Sequence, residues 1–478
     1  MFKKTLYPTL IIPIFFLFFQ NQIKSSDLLN EKNPYIEKKF NQKPLNINDI
    51  PQILKDNNFE LKALKNIIKS ASFNFTSSLG KRYPSVNLNA TGLPQYVYGK
   101  TYNSSSVNTK TSQFKVNPAL TIRWDLINAT REPEINSAQN NLKIAINNYE
   151  IKKNDLIQEA KSRFHAYQKS FAEVNNSIFA VDLSKISLKD AQSKLEAGTG
   201  TEFDVLEAKA QLSRDIQLLE EKKTSREINK IALKEILNIN FEKKLKITNE
   251  QKLLGFWNFE LKDNVLQGVK NSFSLKNLNL QSLIKDNQAK SFKNSNKPVI
   301  YISNTISNTY SKGSTLSAEI DAKQTRSNYS NTISLNFAWN IFDGGQNKNS
   351  SKAKEAESKA DQFNYRSLEN SLKKNISETY LNLKKFEKKI ISTNQEISST
   401  KESLRLARLR YEAGVSTMKD VLTRQKELSN ANLKNINSIY NYNINLNKLE
   451  RLTFEQISTS CLINKSNKKS NINPLCNY

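Results

Sequence analysis

The sequence predicts an α+β membrane protein in which one unit, a helix, two strands and a long helical hairpin, is written twice. Three observations predict it. The phrase KLEAGTGTEFDVLEAKAQLS (Lys194 to Ser213) returns as RYEAGVSTMKDVLTRQKELS (Arg410 to Ser429), 216 residues later and with nine of twenty positions identical. Ahead of each phrase, two stretches alternate apolar and polar residues, so that one face is wholly apolar. Around each phrase the chain is almost free of Gly and Pro, which number only 11 each in 478 residues. That scarcity favours long uninterrupted elements over many short ones.

The duplication extends outward from the phrase. NFELKA (Asn58 to Ala63) recurs in outline as SFSLKN (Ser272 to Asn277), and LTIRWDLINA, with Trp124, recurs as LNFAWNIFDG, with Trp339. The spacing places a first unit at about 47–250 and a second at about 261–454. Ahead of them, Lys3 and Lys4 precede an apolar run from Leu6 to Phe19, broken by Pro8 and Pro13. It is too short to span a bilayer, and residues 1–26 read as a signal peptide. Residues 27–46 form an N-terminal extension, and 455–478 a C-terminal tail.

Each unit opens with a helix, INDIPQILKDNNFELKALKNIIKSA in the first, whose apolar residues recur at steps of three and four. Strands are expected at about 84–103 and 112–127, and again at about 298–312 and 326–342. Phe114, Val116, Pro118, Leu120, Ile122, Trp124 and Leu126 share one face, opposite Lys115, Asn117, Thr121, Arg123 and Asp125. Ile333, Leu335, Phe337, Trp339 and Ile341 repeat the pattern. Long helices follow, each about 100 Å at 1.5 Å per residue. Ile390, Ile397, Leu404 and Tyr411 recur every seven residues, as in antiparallel coiled-coil arms. The repeated phrase is then the turn of a hairpin. Gly198 and Gly414 end the ascending helices, Thr201 and Thr417 cap the returning ones, and Asp204 and Asp420 sit in their first turns.

Composition excludes several functions. A net charge of +27 raises nucleic acid as a partner. The lysines, however, are spread among Asn, Ser and Ile with no dense basic block, so no nucleic acid is expected. Cys461 and Cys476 have no CxxC partner or nearby His, which argues against a metal; a disulfide and two incidental thiols both stay open. His165, the single histidine, reads as a helix-face residue rather than a ligand. No G-x-S-x-G, Walker-type or H-E-x-x-H sequence occurs, so no catalytic residue, metal or cofactor is expected, and the chain does not read as an enzyme. Trp124, Trp339 and Tyr301 fit either an interfacial aromatic girdle or a core.

Apolar-out, polar-in strands are the pattern of a membrane β-barrel lined with water. Four strands cannot close, and an open sheet leaves backbone edges unpaired in lipid. Several chains must therefore pool their strands.

The two units, with LEAGTGTEFDVLEA, YEAGVSTMKDVLTRQ and the junction WNIFDGG (Trp339 to Gly345), resemble the TolC-like outer membrane efflux proteins over roughly residues 47–454. The resemblance implies a homotrimer with a twelve-stranded β-barrel in outer membrane lipid, continued by an α-helical barrel across the periplasm. It implies an exit duct of a tripartite efflux or type I secretion system, with a periplasmic adaptor (membrane fusion) protein and an inner membrane transporter as partners. Ala197, Gly198 and Thr199, with Ala413, Gly414 and Val415, would be the tips that meet the adaptor. Asp420, Asp204 and Tyr411 would form the gate, Asp420 as an acidic ring. Two departures stand out: Ser416 occupies the place of a family arginine, and Thr423 that of a second acidic residue. Helix capping remains the alternative role of Asp204 and Asp420. For the whole chain, the alternative is a soluble exported coiled-coil scaffold or adaptor without a pore.

Overall fold

The computed structural model describes residues 44–478, apart from 103, 105–107, 243–244, 249, 318–319, 459–461, 464–470, 473–474 and 476–478. The expected signal peptide, nearly all of the N-terminal extension and both cysteines lie outside the described residues. A 3-10 turn at Ile47–Asp49 leads into α1 (Ile50–Asn57) and α2 (Phe59–Gly80), then β1 (Ser85–Thr101), β2 (Thr109–Ile127), α3 (Arg131–Glu196) and α4 (Glu202–Ile236). After an irregular link come α5 (Leu261–Asn271), α6 (Phe273–Asn294), β3 (Val299–Ser317), β4 (Ile320–Ala338), α7 (Gln346–Glu412) and α8 (Met418–Thr453). Two short strands, β5 (Leu462–Ile463) and β6 (Asn471–Ile472), pair in the tail.

Helix starts follow from caps. The Asn58 side chain accepts from Leu61 N–H at 3.0 Å to begin α2, and Ser272 does the same for Leu275 at 3.3 Å to begin α6. At the strand-to-helix junction, Asp343 accepts from Gly345 N–H (2.9 Å) and Asn347 N–H (3.0 Å). α3 has 66 residues and α7 has 67, each about 100 Å long. α3 pairs with α4 and α7 with α8 as hairpins, which meet each other through α3 and α8. The heptad residues Ile390, Leu404 and Tyr411 of α7 are buried.

The four long strands form one antiparallel sheet in the order β1-β2-β3-β4, with β1 and β4 as its edges. The register aligns most apolar residues with one another, although Asn304 stands between Ile122 and Ile333. Leu88 pairs with Leu120 and Leu120 with Ile306; Trp124 pairs with Ile302 and Ile302 with Leu335. One residue along each strand, Asn87, Thr121, Thr305 and Thr332 form a polar row. The irregularity in β1 between Thr91 and Gln95 adds two residues, so alternation survives it, whereas the single extra residue in β2 between Asp125 and Ile127 turns Ile127 to the apolar side at the strand's end. Hydroxyl contacts run across the polar face, Ser303 to Ser334 at 2.8 Å and Ser307 to Ser330 at 2.9 Å. Among the described residues nothing covers the apolar face: Leu88 is 74% exposed and Leu335 70%. Among the described residues, no helix is long and apolar enough to cross a membrane.

Three apolar clusters hold the helices. One joins Leu54 and Leu61 to Phe164 and Leu237, and a second gathers Trp257, Ile376, Tyr442 and Leu446. The tail reaches the second through Leu475, and Ser458 exchanges two backbone hydrogen bonds with Phe256. The third cluster lies between the hairpin tips and contains Ala191, Ala208, Leu404, Tyr411, Met418 and Val421.

Candidate functional site

Both tips are built by the same backbone device. In the first, Gly198 has φ 73° and donates to Leu195 O (3.0 Å), while Thr199 N–H donates to Lys194 O (2.9 Å). In the second, Gly414 has φ 78° and donates to Tyr411 O (3.1 Å), while Val415 N–H donates to Arg410 O (3.0 Å). This double bond pattern satisfies the last helical carbonyls and requires a left-handed residue, which glycine supplies without a Cβ penalty. Ala197, Gly198, Thr199, Ala413, Gly414 and Val415 are all exposed.

The returning helices start on threonines. Thr201 Oγ1 accepts from Asp204 N–H at 3.2 Å and donates to the Asp204 carboxylate at 2.9 Å. Thr417 and Asp420 make a full capping box, with Asp420 Oδ2 accepting from Thr417 N–H at 3.2 Å. The same oxygen accepts from the hydroxyls of Ser416 (2.9 Å) and Thr417 (3.0 Å). These donors, the Ser416 hydroxyl foremost, hold the Asp420 carboxyl below the usual carboxylate range. Both aspartates therefore act as helix-start residues within one chain. Thr423 bonds its own helix, donating to Lys419 O at 2.8 Å.

Tyr411 is buried between the hairpins, and its hydroxyl has no hydrogen-bond partner among the described residues. Burial, then the nearby charges of Asp204 and Asp190, push that hydroxyl's pKa up. The fold thus brings Tyr411 and Asp204 into electrostatic range without a hydrogen bond between them. Asp420 is exposed and occupied by its own turn. Sequence reasoning missed Lys194. Its ammonium donates to the carbonyls of Tyr411 and Glu412 and lies 4.4 Å from the Tyr411 ring centre, bridging the hairpins. A basic residue in a last turn is a signal for carbonyl contact, but the carbonyls here belong to the other hairpin. His165 is buried, its Nδ1 3.1 Å from Gln168 Oε1, and burial lowers its pKa to about 4.

The fold therefore joins a sheet with one exposed apolar face to hairpins of about 100 Å. Solved channels share it. The outer-membrane channel OprN superposes with a TM-score of 0.72 at 13% identity, over 85% of this chain and 89% of that one. The Campylobacter jejuni outer membrane channel CmeC gives a TM-score of 0.71 at 15% identity, over 90% of this chain and 92% of that one. The Vibrio cholerae outer membrane protein VceC gives 0.69 at 14% identity, over 85% and 96%. At these identities the likeness is one of fold. Comparison with curated protein sequences gives no match. The family model for outer membrane efflux proteins matches residues 50–238 and 302–453. The chain belongs to the outer membrane efflux protein family. It is a TolC-like outer membrane protein with its helical part in the periplasm.

Proposed function

We propose that three copies of this chain pool their strands into a twelve-stranded barrel and their helices into a periplasmic tube, forming the exit duct of a tripartite efflux or type I secretion system. On this reading each chain is one unit written twice, and the strand pairs and hairpins alternate around the tube. The carrying observation is the apolar face of the sheet. Phe114 and Trp124 sit ten residues apart on that face of β2; Phe114 packs at a tilt against Tyr96 at the outer end (5.1 Å between centroids), and Trp124 pairs with Ile302 at the inner end. At about 3.3 Å per residue and a tilt of about 40°, they are about 25 Å apart across a membrane, the height of a barrel's apolar band between its aromatic girdles. The unpaired edges of β1 and β4 need neighbouring chains to be stable in lipid. A pore-free scaffold has no use for such a face.

The tips at 197–199 and 413–415 are the surface offered to a periplasmic adaptor, which links the duct to an inner membrane transporter. Asp204, Tyr411 and Asp420 are the gate, with Asp420 lining the constriction. Planar-bilayer recording on detergent-purified protein tests the reading, beside Asp420→Asn. Discrete cation-preferring steps, less so in the variant, support it; a protein that stays in the soluble fraction and never inserts returns the case to the scaffold.

A further inference from the structure

We propose that the outer mouth of the barrel carries a ring of fixed positive charge that takes small polyvalent anions. The inference rests on the barrel reading and deepens it. Lys115 of β2 pairs with Ser311 of β3, and Ser311 pairs with Arg326 of β4, so the two cations flank one strand on the same rung. Gln95 of β1 completes the rung. Register places all four on the face shared with Asn87, Thr121, Thr305 and Thr332, which is the water-filled side of the barrel.

Two spacings between strands set the cations about 10 Å apart, close to the screening length in physiological salt. Neither forms an ion pair among the described residues. The contrast on the same face is Arg123, which is bonded to Asp125 at 2.9 Å and stacked 3.7 Å from the Tyr301 ring centre. Neither cation has an opposite charge on its rung, so pairing within the sheet does not account for them. Below it the wall is hydroxyl and amide, with nothing to cancel the charge until the Arg123–Asp125 pair at the neck. Lys115 lies beside Phe114, at the outer end of the apolar band. Three chains therefore set six cations at one level of a narrow, water-filled opening, where walls of low dielectric focus the field. Rings of Lys and Arg are how pores favour anions and phosphates. The duct is then polar along its length, basic where it opens outward and acidic at the Asp420 constriction.

The test uses full-length protein and inorganic tripolyphosphate as probe. In planar bilayers, tripolyphosphate added on the barrel side in dilute salt should reduce the current. The same anion should bind detergent-solubilised protein in a calorimeter, whether or not the tip conducts. Lys115→Gln with Arg326→Gln should weaken both readouts at least tenfold, as should 1 M salt. Lys312→Gln, one residue from Ser311 but on the apolar-face register, should leave them unchanged. Channels that conduct yet ignore tripolyphosphate, or that the double variant leaves equally blocked, overturn the ring and leave the duct standing. Folded protein that neither inserts nor binds the anion overturns both.

Discussion

Lys194 ties one hairpin to the other: its ammonium sits 4.4 Å from the Tyr411 ring centre and donates to the Glu412 carbonyl at 3.2 Å. This cation reads the negative end of the α7 helix and the face of its last aromatic at once. Replacing it with Met removes both interactions while keeping the stem. With spin labels at Thr199→Cys and Val415→Cys, the distance distribution between the tips should broaden in Lys194→Met. An unchanged distribution would show that the apolar cluster alone sets the tip spacing.

The capping box at Thr417 gives a local stability prediction. Thr417→Ala should cost the start of α8 about 1 kcal/mol, which is about a fivefold loss of amide protection over residues 418–422 in hydrogen exchange. The Asp420 carboxyl is held below its ordinary pKa. Its contribution is therefore present above the unfolded value of about 3.9 and lost as pH falls through the lower folded value. Amide protection over residues 418–422 should fall with that loss, and protection that holds through it would place the contribution elsewhere.

His165 predicts the opposite end of the acid range. Buried, it titrates near 4 in the folded chain, against an ordinary value near 6.5. Between those values the unfolded chain takes up a proton that the folded chain refuses, so stability falls as pH drops from about 6.5 to about 4 and levels below. The difference is on the order of 3 kcal/mol per chain. His165→Leu should flatten this part of the pH profile of thermal unfolding; a profile that keeps its slope would place the proton elsewhere.

Neighbouring residues on β2 should respond in opposite ways. Leu120 lies in the apolar row with Leu88 and Ile306, and Thr121 in the polar row with Asn87 and Thr305. An arginine facing lipid near the midplane costs about 2–4 kcal/mol, so Leu120→Arg should sharply lower the amount recovered from outer membranes. Thr121→Arg should assemble normally. Equal recovery of the two would contradict the assignment of faces.

The legibility of the sequence tracked the range of the interaction. Period-two alternation marked the strands, and the scarcity of Gly marked the long helices, because both are local patterns with one physical cause each. The turns at Gly198 and Gly414 were legible for the same reason: a left-handed residue after a long helix names its own position. The strand pairings were not, since nothing in the spacing says that Lys115 and Arg326 share a rung until β3 lies between them. Lys194 escaped notice because its acceptors are more than two hundred residues away. The Asp420 turn shows a limit of another kind. Its carboxylate is well suited to capping and to gating alike, and residue type alone does not separate the two.

The central claim, that chains pool their strands with the polar face inward, is tested most directly by single-particle cryo-electron microscopy of the detergent-solubilised protein. The account predicts a threefold particle whose barrel has twelve strands, with β1 of each chain paired to β4 of its neighbour and Leu88, Leu120 and Ile306 facing the detergent belt. A monomer, an unclosed sheet, or a barrel with those three residues turned to the lumen would contradict it.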